Sequence, residues 1–84
     1  MIVLWRESGA PRRAGFAVSR QVRTAVQKNR ARRRLREAYR ATRDAAPATV
    51  ALVIIAKPGA LREPFAALAG ELRGALASIP GTRA

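Results

Sequence analysis

Ten of the 24 residues from Arg20 to Arg43 are Arg or Lys, and Glu37 is the single acidic residue among them. No small domain can bury such a run. The segment must turn a charged side outward, and whatever it buries has to come from the few apolar residues in between. At helical spacing those residues line up. With Leu35 as reference and about 100° per residue, Ala31, Ala38, Tyr39 and Thr42 fall within about 60° of it, a stripe able to lie on a sheet. Asn29, Arg32, Arg33, Arg36, Arg40 and Arg43 occupy an arc from roughly 60° to 160°, with Arg30 just beyond. Thr24, followed three residues later by Gln27, fits a capping box and predicts a helix from about Ala25 to Arg43.

The flanking segments read as strands and a second helix. Ile2 to Trp5 and Gly15 to Ser19 are strand-like, and Ser8-Gly9-Ala10-Pro11 between them is a turn, which suggests an antiparallel hairpin. Pro47 closes the helical region. Thr49 to Ala56 is apolar without alternation and rich in β-branched residues, as for a central strand covered on both faces. After Lys57-Pro58-Gly59, Pro64 can open a closing helix in which Phe65, Leu68, Leu72, Leu76 and Ile79 recur at helical spacing. Gly70 and Gly74 each cost that helix about 1 kcal/mol relative to Ala, so docking must hold it. The order β-β-α-β-α predicts an α/β sandwich of the α+β kind, with a small mixed sheet, the basic helix as crossover and a packing helix at the end.

Composition removes many functions. With 84 residues the chain has room for one modest core, so residues 1–84 are expected to form one domain. Cys and His are absent, which removes disulfides, thiolate or imidazole metal ligands and the usual nucleophile and base pairs. The five carboxylates are scattered over different elements, so no catalytic residue and no metal site is nominated. Glu37 reads as a local ion-pair partner for neighbouring arginines. No apolar run approaches the roughly 20 residues of a membrane span, and no signal core follows the start; a cytoplasmic location is expected.

The charge itself points to a partner. A net charge of +12, of which residues 1–43 carry +11, repels itself in a compact monomer and favours a polyanion. Fifteen of the 17 basic residues are Arg, whose planar fork suits phosphate. A membrane surface is the weaker alternative, because the apolar stripe is narrow, Ala-rich and without Trp or Phe to insert. Trp5 reads either as a half-buried strand aromatic or as a base-stacking platform. Tyr39, Phe16 and Phe65 read as core.

The run from Phe16 to Glu37, with Phe16-Ala17-Val18-Ser19-Arg20 leading into Lys28-Asn29-Arg30-Ala31-Arg32-Arg33 and Arg36-Glu37, resembles the hallmark segment of the bacterial ribonuclease P protein subunit. The likeness extends to Val53-Ile54-Ile55-Ala56, Lys57-Pro58-Gly59 and the closing helix. It implies a subunit of an RNA-protein endoribonuclease that removes the 5′ leader of precursor tRNA. The chemistry would be done by Mg2+ on the RNA, so the chain alone is expected to be non-catalytic and to hold no cofactor. Its implied partners are the catalytic RNA and precursor tRNA. The resemblance carries over Lys28, Asn29, Arg30, Arg32, Arg33 and Arg36 as RNA contacts, with Arg40 on the same cationic arc. It makes Trp5, Ser19 and Arg20 candidates for the leader cleft, and it implies a left-handed crossover. Arg23 stands where the family usually has Gly, and would be strained if the turn required positive φ. The chain as given starts downstream of the family's amino-terminal helix, which supplies one wall of the cleft. The alternative is a general RNA-binding or ribosome-associated module with no preference for a precursor.

Overall fold

The computed structural model describes residues 1–80. Three strands, β1 (Ile2–Glu7), β2 (Arg13–Val18) and β3 (Val50–Ala56), and three helices, α1 (Ala25–Thr42), the single-turn α2 (Gly59–Arg62) and α3 (Phe65–Ala77), follow one another as β1-β2-α1-β3-α2-α3. A 3-10 turn, Arg43–Ala45, ends the basic helix one residue earlier than its spacing predicts. At its start, the Gln27 amide donates to Thr24 Oγ1 at 3.1 Å, satisfying one orphan donor. The Gln27 side chain makes no bond back, so only half of the expected box forms.

The sheet order is β1-β3-β2, so the expected hairpin does not exist. The most apolar strand takes the middle and collects a ladder on each side, antiparallel to β1 and parallel to β2. The segment from Ser8 to Arg12 must therefore cross two strand spacings, roughly 9.6 Å, instead of one. It does so around the entry to β3: the Ser8 amide donates to the Thr49 carbonyl at 3.1 Å, and the Arg12 amide to the Ala48 carbonyl at 2.8 Å. Gly9 takes the left-handed conformation there (φ +67°). Arg12 Nη1 adds a bond to the Ala46 carbonyl at 2.8 Å. No non-glycine among the described residues has positive φ, so Arg23 is accommodated without that strain.

The helices cover one face of the sheet. Val50, Leu52, Ile54 and Ala56 meet Ala31, Leu35 and Ala38 of α1 and Leu68, Leu72 and Leu76 of α3 in the buried core. The expectation that β3 is covered on both sides is thus half right. Alternate residues are buried, while Ala51, Val53 and Ile55 lie on a face that no element among the described residues covers. Phe65, expected in the core, stays 41% exposed at the start of α3. Glu37 forms no ion pair; among the described residues Arg73 and Asp44 form the single one, at 3.7 Å.

Candidate nucleic-acid interface

Helix α1 is wedged between two neighbours, and this fixes where its basic side looks. On one flank Arg34 Nη2 donates to the Glu63 carbonyl at the α2–α3 junction, tying the helix layer together. On the other flank Tyr39 and Arg36 both reach Phe16 of β2. The Phe16 and Tyr39 ring centroids are 5.8 Å apart at 70°, and the Arg36 guanidinium carbon lies 5.8 Å from the Phe16 centroid. The arc between these flanks faces outward beside the free edge of β2.

The predicted contact residues are distributed along this arc. Arg30, Arg33 and Arg40 are exposed and make no hydrogen bond or ion pair with any described residue. Arg32 Nη1, on a half-buried residue, donates to Oδ1 of the exposed Asn29 at 3.4 Å, a long bond at the surface. Lys28 is half-buried; its position near the apolar stripe places it toward the sheet. Three arginines are instead committed to the fold: Arg12, Arg34, and Arg73, whose Nη2 reaches the Ala41 carbonyl at 3.2 Å as well as Asp44. The arc thus keeps a cationic field that no carboxylate among the described residues neutralises.

The bare sheet face forms a second feature. Register sets three rows across it: Ile2, Ile55 and Ala17; Leu4, Val53 and Gly15; Arg6, Ala51 and Arg13. The last two rows line a shallow hollow of about 580 Å³. Leu4 is 53% exposed on its floor. A Cβ built on Gly15 would come no nearer than 4.0 Å to another atom, so the floor is flat there without any packing need. Arg6 and Arg13 stand on the two edge strands opposite the same residue, Ala51, and neither has a side-chain partner among the described residues.

The three cleft candidates are not brought together. Trp5 pairs with Leu52, so its side chain leaves the sheet on the helix side, although as an edge-strand residue it also borders the hollow; it is 45% exposed. Ser19 and Arg20 follow the opposite end of β2, past the Val18–Ala56 pair and roughly 17 Å along the sheet from Leu52. The Ser19 hydroxyl accepts from the Gln21 amide at 3.2 Å, and Arg20 is exposed in that turn. The sequence nominated neither Arg6 nor Arg13: two-residue spacing puts Arg6 on the side of Leu4 and Arg13 on the side of Gly15, but only the order β1-β3-β2 brings the two sides onto one face. Among the described residues no three His, Cys, Asp or Glu side chains gather as a metal site, and no helix is long and apolar enough to cross a membrane.

A three-stranded mixed sheet with helices on one side, a bare opposite face and a crossover helix carrying an unpaired arginine arc define a small, strongly basic α/β sandwich protein. Within that class its kin are specific. The family model for ribonuclease P matches residues 1–80, and the chain belongs to that family. The ribonuclease P protein component of Gluconacetobacter diazotrophicus is 46% identical over 74 residues, covering 87% of this chain and 64% of that protein. That of Symbiobacterium thermophilum is 44% identical over 63 residues, covering 75% and 55%. The chain thus spans about three fifths of the length of these curated relatives. The solved ribonuclease P protein of Thermotoga maritima superposes with a TM-score of 0.81 at 27% identity, covering 94% of this chain and 76% of that one.

Proposed function

We propose that this chain acts as the protein component of ribonuclease P, gripping the RNA of that enzyme with α1 and a few nucleotides of the precursor tRNA leader on the bare sheet face. The observation that carries the reading is the set of arginines on α1, Arg30, Arg33, Arg36 and Arg40, left without carboxylate partners in a chain of this family. Phosphates supply what those guanidinium groups lack, in the bidentate geometry that Arg favours. Asn29, Arg32 and Lys28 extend the contact toward the start of the helix.

The bare face suits an extended single strand. Leu4, Val53 and flat Gly15 offer apolar area to bases, while Arg6 and Arg13 offer charge to the flanking phosphates. Trp5 borders this strip, and Arg20 marks its far end. Such a protein distinguishes precursor from product by binding the part that is removed. Cleavage itself is assigned to Mg2+ held by the RNA, in the cytoplasm, with no protein side chain as nucleophile or base.

The test is reconstitution with a bacterial ribonuclease P RNA at low Mg2+, measuring leader removal. Wild-type protein should raise the rate, and Arg30→Ala with Arg33→Ala should abolish the gain at unchanged far-UV circular dichroism. Equal affinity for leader-bearing and mature tRNA in the assembled complex would replace this reading with that of a general RNA-binding module.

A further inference from the structure

The arginines of the α1 arc are not equivalent, since one of them rests on an aromatic ring. Arg36 lies 5.8 Å over Phe16, and Phe16 is in turn held edge-on by Tyr39 at 5.8 Å and 70°. Phe16 is fixed from below by the sheet, where it pairs with the fully buried Ile54. Arg30, Arg33 and Arg40 have no such rest. We propose that Phe16 is a positioning residue for RNA binding: with its ring under Arg36 it holds that guanidinium along the outer flank of β2, ready for a phosphate. This deepens the reading of α1 as the RNA interface and depends on it.

The chemistry favours a ring over a carboxylate for this purpose. An exposed arginine that docks on phosphate gives up rotamer freedom, and any restraint already present in the free protein reduces that loss. A carboxylate would impose restraint by occupying the N–H donors and cancelling the charge. A ring attracts the cation through its quadrupole and occupies none of the five N–H donors with a carboxylate, so the donors stay available and the charge is kept. Glu37 is adjacent in sequence yet makes no ion pair with Arg36, so the ring is the contact that restrains it.

The experiment is a double-mutant cycle on binding to an in vitro transcript of bacterial ribonuclease P RNA, titrated at several KCl concentrations. Phe16→Leu keeps an apolar residue beside Ile54 and should weaken binding about two- to fivefold, the range of an exposed cation–ring contact. The slope of log K against log salt should not change, because no charge is lost. Phe16→Tyr should restore wild-type affinity. In an Arg36→Gln background, Phe16→Leu should cost nothing further. Equal losses with and without Arg36, or no loss at all, would overturn the proposal while leaving the RNA interface standing. Wild-type binding without salt dependence would overturn both. Should Phe16→Leu fail to fold, Arg36→Lys replaces it: an ammonium keeps the charge but lacks the planar face, and a two- to fivefold loss at constant slope is expected. Undiminished affinity in that variant would equally end the idea.

Discussion

Leu35 sits where the two demands on α1 meet, fully buried under β3 while the residues on either side of it are arginines. Leu35→Ala should cost about 2–5 kcal/mol, the range for a buried leucine whose cavity collapses only partly. Urea unfolding checks this; a loss under 1 kcal/mol would mean that α1 is not anchored through that side chain. At the other kind of residue, side chains that contribute nothing to the core, the expected pattern reverses. Arg6→Ala with Arg13→Ala should leave the midpoint of urea unfolding within about 0.5 kcal/mol of wild type, as for surface positions without partners. The same pair should lower the affinity of the reconstituted complex for leader-bearing precursor and not for mature tRNA. An equal loss for both would move the leader away from that face. The outward side of α1 could be read from the sequence because a 3.6-residue period assigns every side chain a direction once one buried residue is known. Arg6 and Arg13 could not be combined in that way. Their opposition across Ala51 exists only when β3 lies between β1 and β2, and no local pattern encodes that neighbour.

Among the elements, α1 was legible end to end, whereas the strands were legible as strands and not as neighbours. Two strands joined by a short turn ordinarily form a hairpin, and Ser8 to Pro11 supplies ordinary turn residues. Here β3 lies between them instead and takes both ladders, burying Val50, Leu52, Ile54 and Ala56 beneath the helices. The same strand hid the open face. Apolar residues at Val53 and Ile55 remove the alternation that would have marked one side as bare. Helix α3 shows a different local conflict. Gly70 and Gly74 lie in its interior with open space around a built Cβ, and neither has positive φ. No packing in the described structure asks for glycine. Gly70→Ala and Gly74→Ala should therefore each stabilise by up to about 1 kcal/mol through helix propensity and a less flexible unfolded chain. A thermal melt should register roughly 4–8 °C upward per kcal/mol in a domain of this size. Destabilisation by either substitution would show that a Cβ on that face meets something in solution.

For the whole molecule, the governing quantity is a net charge of +12 on a body with a radius of gyration of 12.5 Å. Distances between its charges are comparable to the Debye length, about 10 Å at 0.1 M salt, so ionic strength changes their mutual repulsion strongly. There is little attraction for salt to weaken in exchange, because Arg73 and Asp44 form the single ion pair among the described residues. The free protein should thus become more stable as NaCl rises from 0.05 to 0.5 M, visible as an increase in Tm. RNA binding should respond in the opposite sense. If Arg30, Arg33, Arg36 and Arg40 each neutralise one phosphate, log K should fall with log salt at a slope of about −3. Arg30→Ala with Arg33→Ala should flatten that slope by about 1.5 and also reduce the salt dependence of Tm, since the charges proposed to bind RNA also repel one another in its absence. A double variant that lost RNA affinity while keeping both salt dependences would show that the two arginines act through helix geometry and not through charge.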